Sequence, residues 1–364
     1  MSKRWFMAPV AGLAMLITVA VLGSGSVAAA NPVLKLKAGD GEPGYAVNQF
    51  FPSSVTIATG DTVEWTFGWL EVHHIALVEG TPPDEEPAPS ASPATFPNEK
   101  KLVFSGDIVG DPASPTLFAI KFTKAGTYDY HCFIHEGMDG TVKVVDPGSA
   151  GSGGIDNQFS VDARSKAQYA GGIQAIKDIG AGIKAGADLP KPNGGKTVEA
   201  VLGNYTPGLG QVQAFVPRAL NIREGDSVKW VSRDGAPHNV VFGAPAQADP
   251  FAFPGAKSGS VYDGTGSLQS PIIALEGFGP DTPKSYEVVF SKAGTYNYIC
   301  LLHADQGMVG QVVVASRGAT APGAPNTGSG LASDGGSNSG WYLVAGALAI
   351  VTLLAGATAV HARR

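Results

Sequence analysis

The sequence is poor in cysteine, in methionine and in charge. Its 364 residues include two cysteines, Cys132 and Cys300, and five methionines, of which only Met138 and Met308 lie beyond residue 30. Two cysteines 168 positions apart exclude a disulfide-dense scaffold. Charged residues make up 15% of the chain against 44% hydrophobic ones, enough apolar side chain for buried cores, which excludes disorder throughout. Basic runs are missing too. Four of the 25 basic residues, Lys3, Arg4, Arg363 and Arg364, sit in the terminal hydrophobic segments, leaving 21 against 31 acidic residues and a net charge of −10 over residues 31–340. No stretch reads as a phosphate-tracking surface, so nucleic-acid binding is excluded. At roughly 150 residues per domain, the length predicts two domains.

The ends of the chain are apolar. Lys3 and Arg4 precede an apolar run over 7–22 and the small residues Val27, Ala28, Ala29 and Ala30. That layout is a secretory signal peptide over residues 1–30, with an uncleaved anchor as the alternative. At the other end, residues 341–360 are apolar or small and carry no charge, and a short basic tail, 361–364, follows. Twenty such residues are long enough to span a bilayer as a transmembrane helix. The positive-inside bias then places Arg363 and Arg364 in the cytoplasm and everything before Trp341 outside. The Gly, Ser, Asn and Pro tract over 317–340 reads as a flexible stalk. Within it, Ala324-Pro325-Asn326-Thr327-Gly328 resembles a cell-wall sorting signal, although that pattern begins with Leu where this chain has Ala324. A single-pass membrane anchor is the favoured reading and sortase-type cell-wall attachment the alternative. Both put the chain on the outer face of a cell.

Between the ends lies a repeat. Gly60-Asp61-Thr62-Val63-Glu64-Trp65 recurs as Gly225-Asp226-Ser227-Val228-Lys229-Trp230, 165 positions later. Lys124-Ala125-Gly126-Thr127-Tyr128-Asp129-Tyr130 recurs as Lys292-Ala293-Gly294-Thr295-Tyr296-Asn297-Tyr298, 168 positions later. Two copies of one domain account for this. Short alternating segments at 54–57, 62–67, 117–122 and 141–145, separated by Gly, Pro and Asp, predict an antiparallel sandwich. The Pro-rich stretch 81–97 has few apolar residues and reads as a solvated loop. In the linker between the copies, Tyr169, Ile173, Ile176, Gly180 and Ile183 recur at helical spacing and predict a helix over about 160–184. It either packs between the domains or merely connects them.

Both copies carry the same group of soft and imidazole donors. Cys132, His135 and Met138 form CxxHxxM, and Cys300, His303 and Met308 form CxxHxxxxM, each directly after the repeated Ala-Gly-Thr-Tyr strand. Upstream, His73 follows Gly60 by 13 residues, as His238 follows Gly225. A thiolate, two imidazoles and a thioether are the donors of a blue-copper centre, two His and one Cys in a trigonal plane with a weak axial Met. A Cys132–Cys300 disulfide is the competing reading for an exported chain. His74 competes with His73 as ligand. Gap-free alignment pairs His73 with His238, and strand alternation turns His74 away, into the position of Asn239.

These motifs resemble the cupredoxins. Pro237-His238-Asn239-Val240-Val241-Phe242 with Gly307-Met308-Val309-Gly310 is similar to plastocyanin, and Tyr128-Asp129-Tyr130-His131-Cys132 with the shorter loop is similar to amicyanin. The resemblance implies an all-β chain of two tandem cupredoxin Greek-key β-sandwiches, with a linker helix and a C-terminal transmembrane helix. The domains would span 31–146 and 196–316, with the linker at 147–195. It implies two type 1 coppers cycling between Cu+ and Cu2+, one on His73, Cys132, His135 and Met138, the other on His238, Cys300, His303 and Met308. In the family an Asn at position 239 steadies the ligand loop, and His74 departs from that pattern. The implied work is one-electron transfer, not enzymatic turnover, between a donor and an acceptor redox protein at the cell surface. The acidic ectodomain favours a basic partner, and His135 and His303 are the expected exit points through exposed ring edges. Unequal ligand loops suggest two unequal potentials and a relay. A two-domain nitrite reductase would use His131, beside Cys132, for a further catalytic copper, but only His74, His131 and His361 remain to complete that centre. A copper-storage or structural surface module is the third reading.

Overall fold

The computed structural model describes residues 31–80, 83, 86–148, 154–192, 194–245, 255–275 and 281–318. The expected signal peptide, nearly all of the stalk with its sorting motif, the 341–360 span and the basic tail lie outside the described residues. No helix among the described residues is long and apolar enough to cross a membrane.

Alternation sets the strands. In Thr62–Phe67 the side chains of Val63, Trp65 and Phe67 turn inward while Thr62, Glu64 and Thr66 stay half-exposed, and Val228 and Trp230 repeat this in Ser227–Val231. In each copy the buried tryptophan meets a tyrosine edge-on. Trp65 and Tyr130 are 4.9 Å apart at 71° and Trp230 and Tyr298 5.2 Å apart at 73°, an arrangement that suits the ring quadrupoles. The first copy closes its core with the sheet Ser54–Ala58, Asp139–Val145, Gly126–His131, Ala76–Val78 and Leu102–Phe104. The second copy does so with Ala219–Arg223, Val309–Ala315, Gly294–Ile299, Val241–Phe242 and Leu268–Gln269.

The sheets are mixed, not purely antiparallel as the strand spacing suggested. Val33–Glu42 runs parallel to Thr62–Phe67, and Ser54–Ala58 runs parallel to Asp139–Val145, with the same two parallel pairings in the second copy. Strand spacing reports how long strands are, and neighbours in space are decided by how the connections cross the sandwich.

The two sandwiches are joined edge to edge. Tyr45–Phe51 pairs antiparallel with Gly210–Val216, placing Val47 opposite Gly210, Ala46 opposite Gln211 and Tyr45 opposite Val212. One eleven-stranded sheet therefore runs through both copies. The linker helix, Gln158–Gly182, lies across this seam and buries Ile173 and Ile176 against Tyr45, Val47 and Phe51 of one copy and Val212 and Ala214 of the other. It begins where Asn157 caps it, the Asn157 Oδ1 accepting from the Ser160 N–H at 3.0 Å. Its inward glycines let it approach the sheet: a Cβ on Gly172 would lie 2.8 Å from a Val47 methyl, and one on Gly180 3.1 Å from the Tyr45 ring. The helix thus packs on both domains.

The stretch 81–97 is not all solvated loop. Ala94–Phe96 forms an edge strand parallel to Thr116–Phe122 and buries Phe96 completely. Pro93 and Pro97 bracket it, as suits a strand with one free edge. One aromatic among many prolines disappears in an average over composition.

Candidate metal centres

His73 ends the two-residue strand Val72–His73, Cys132 directly follows Gly126–His131, and Met138 directly precedes Asp139–Val145. The loop between is a chain of tight turns. The Cys132 N–H donates to the Met138 carbonyl at 3.0 Å, that of His135 to Cys132 at 3.2 Å and that of Met138 to His135 at 3.0 Å. In the second copy the Cys300 N–H donates to Met308 at 3.1 Å and that of His303 to Cys300 at 3.1 Å. The two extra residues there add one more turn, in which the Gln306 N–H donates to His303 at 3.1 Å.

These turns and strands bring His73, Cys132 and His135 into one buried cluster and His238, Cys300 and His303 into another. The Cys132 sulfur lies 4.0 Å from His73 Nδ1 and 3.6 Å from His135 Nδ1. The Cys300 sulfur lies 3.9 Å from His238 Nδ1 and 3.5 Å from His303 Nδ1. Bonds of about 2.0 Å to nitrogen and 2.3 Å to sulfur around one trigonal ion would put the donors roughly 3.7 Å apart, so the donor set fits a common metal. Met138 and Met308 are fully buried beside the same cores. Both cysteines are free and buried, so no disulfide joins them.

Burial governs the protonation of these groups. It pushes the Cys132 thiol up to about 12 and Cys300 to about 11, and pushes His135 down to about 3 and His303 to about 4. His73 and His238 are lowered well below the ordinary imidazole value for the same reason. Each centre is therefore a thiol and two neutral imidazoles, and a bound cation would displace the thiol proton. The outer nitrogens of His73 and His238 have no hydrogen-bond partner. Their rings rest against bulges in the first strand of each copy, at Gly39 and Gly203, both with positive φ. A Cβ at Gly39 would lie 2.1 Å from His73 Nε2, and one at Gly203 would lie 2.2 Å from the Val212 carbonyl oxygen. Sequence reasoning did not single out these glycines, although they stand 164 positions apart within the repeat.

His74 faces away from the cluster, as strand alternation requires. Its Nε2 accepts the Phe133 N–H at 2.5 Å, while its Nδ1 lies 3.1 Å from the Asp107 carboxylate. An accepting Nε2 puts the proton on Nδ1, which donates to Asp107. In the second copy the Asn239 side-chain oxygen accepts the Leu301 N–H at 2.7 Å. An imidazole oriented by a carboxylate thus replaces an amide in steadying the loop after Cys132. His131 points outward, half-exposed, with its Nδ1 2.6 Å from Asp139. It joins neither metal cluster among the described residues.

His135 and His303 are not exposed ring edges. They are 6% and 5% exposed because each ligand loop is covered by the opposite domain. The Glu136 carbonyl accepts from the Gly208 N–H at 2.8 Å and the Tyr205 hydroxyl at 3.2 Å, and the Gln306 carbonyl accepts from the Gly44 N–H at 2.6 Å. The Gln306 amide also donates to the Leu70 carbonyl. Glu71, which sequence reasoning missed, enters this seam from the first domain. Its Oε2 accepts from Gln211 at 2.8 Å and Gln213 at 2.7 Å, and its Oε1 lies 4.0 Å from His135 Nε2.

Comparison with known proteins agrees with this geometry. Residues 42–145 and 207–315 each match the copper binding proteins of the plastocyanin/azurin family. The chloroplastic plastocyanin of Tetradesmus obliquus is 34% identical over 100 residues, 28% of this chain and 57% of that protein, so the chain spans little more than half the length of that relative. The plastocyanin of Capsella bursa-pastoris is 32% identical over 117 residues, 32% of this chain and 99% of that protein. Among solved structures, a copper(I) amicyanin variant aligns at 24% identity over 32% of this chain and 80% of its own, with a TM-score of 0.22. The family is one of electron carriers, not enzymes. With two matched regions and a His-Cys-His cluster in each, the chain belongs to the plastocyanin/azurin family of copper-binding proteins and carries that domain twice.

Proposed function

We propose that this protein is an exported blue copper carrier that passes single electrons through two type 1 centres on the outer face of a membrane. His73, Cys132, His135 and Met138 hold one copper within domain 31–146, and His238, Cys300, His303 and Met308 hold the other within domain 196–316. Copper supplies the one-electron couple between Cu+ and Cu2+. The protein's own groups supply a rigid site: the loop turns hold Cys and His at fixed separation, and burial keeps both imidazoles neutral and water away. Such rigidity limits rearrangement when charge changes. Residues 1–30 direct export, the stalk 317–340 spaces the domains from the surface, and 341–360 anchors the chain. The net charge of −10 over 31–340 suits a basic redox partner.

The observation that carries this reading is the duplicated buried triangle, with all four Nδ1 atoms 3.5–4.0 Å from a free cysteine sulfur. Visible and electron paramagnetic resonance spectra of the copper-loaded chain test it. An intense thiolate-to-copper band should fall by half in Cys132→Ser and by half in Cys300→Ser, and a colourless protein rejects the reading. Removal of residues 341–364 should release the chain from the membrane fraction.

A further inference from the structure

The seam between the domains treats its two metal clusters unequally. His135 turns Nδ1 toward Cys132, which leaves Nε2 as the outward nitrogen. That nitrogen lies 4.0 Å from Glu71 Oε1, a carboxylate whose side chain is only 11% exposed. Gln211 and Gln213, both buried, hold the other carboxylate oxygen from the second domain. The repeat contains no second copy of this device. Ala236 stands 165 positions after Glu71, and Ala46 and Asn48 stand 165 before Gln211 and Gln213.

We propose that Glu71 is a positioning residue that sets the direction of electron flow, lowering the reduction potential of the first-domain centre below that of the second. The inference rests on both clusters holding type 1 copper. At 4.0 Å the Glu71 carboxylate is beyond direct hydrogen-bond reach of His135 Nε2 and acts on the imidazole through its charge. Burial pushes the Glu71 carboxyl up to about 7, the hydrogen bonds from Gln211 and Gln213 oppose that rise and favour its ionised form, and the negative charge then favours the more positive, oxidised state of the centre over the reduced one. Among the described residues no carboxylate lies within ion-pair distance of His303, and Ala236 stands where the repeat would put a second Glu71. An electron delivered to domain 1 by a one-electron redox protein then moves to domain 2. The first centre loses one electron and the second gains it, and no bond or proton changes. Since the opposite domain covers both ligand loops, the His135 and His303 side of the seam is the internal passage and not a docking face.

Redox titration of the copper-loaded full chain, followed at the thiolate band, tests this. Cys300→Ser leaves the first centre to be read alone, and Cys132→Ser leaves the second. Adding Glu71→Gln should raise the first centre's potential by at least a tenfold change in its oxidised-to-reduced ratio, about 59 mV for one electron. The second centre should move by less than a third of that. The double variant Gln211→Leu, Gln213→Leu frees the carboxylate without removing it and should shift the first centre in the same direction, which covers a Glu71→Gln chain that fails to load. Glu71→Asp should restore part of the shift. An unchanged first centre, or equal movement of both, overturns the inference while leaving the copper reading intact. Absence of the thiolate band in both single-site chains overturns both.

Discussion

The first and second domains have the same skeleton and different surroundings for their metal clusters. Trp65 and Trp230, Tyr130 and Tyr298, Phe50 and Phe215 occupy matching core positions, and the sulfur-to-nitrogen separations agree within 0.1 Å between copies. What differs lies just outside the triangle: a ligand loop two residues longer in the second copy, His74 with Asp107 in place of Asn239, and Glu71 in place of Ala236. A repeated core constrains where the donors stand. Freedom to diverge is left to the groups one layer out, and those would tune a bound metal.

The largest expected effects strike the shared skeleton. Gly203→Ala would press its Cβ onto the Val212 carbonyl at a positive φ. Backbone has little room to yield, so a loss of about 2–5 kcal/mol is expected in urea unfolding. Gly39→Ala presses on the His73 ring instead. It should cost less stability and more copper affinity in the first centre, and equal effects of the two variants on stability would contradict this contrast. Ile176→Ala removes a buried side chain that touches both copies, and should cost about 2–4 kcal/mol. Because the helix and the joined strands bind the domains into one unit, the loss should appear in a single unfolding transition. Two separate transitions, with only one displaced, would break that view.

Smaller effects separate the two loop supports. His74→Ala and Asn239→Ala each leave a ligand-loop N–H without its acceptor and should cost about 1–3 kcal/mol by denaturant titration. His74→Asn puts the second domain's residue into the first. It keeps an acceptor but strands Asp107, and a cost of about 1 kcal/mol is expected. A cost as large as that of His74→Ala would mean that an amide cannot reach the Phe133 N–H from that strand.

Much of each site was legible in the chain. The Cys-x-x-His spacing alone brings sulfur and imidazole close together, and strand alternation points to His73, the histidine that stands beside Cys132 in the structure. The helix was legible from Ile173 and Ile176, and the structure moves its ends by only two residues. Its glycines, which weaken a helix in isolation, turn out to permit contact with Val47 and Tyr45. Phe96 was lost among prolines. Asp107 and Glu71 carry no local signal, because their partners lie 33 and 140 residues away.

The order of residues by itself pointed to the duplicated sandwich, the His-Cys-His group of each copy and, through the likeness of its motifs, the family, since the repeat, the loop spacing and the period-two pattern are all local. Only the tertiary structure decided that His135 and His303 are covered, that the helix bridges both copies, and that one carboxylate stands behind one imidazole. Those follow from edge pairing of Tyr45–Phe51 with Gly210–Val216. A strand edge offers the same backbone donors and acceptors to any partner, and which edge it meets is settled by the shape and burial of the whole.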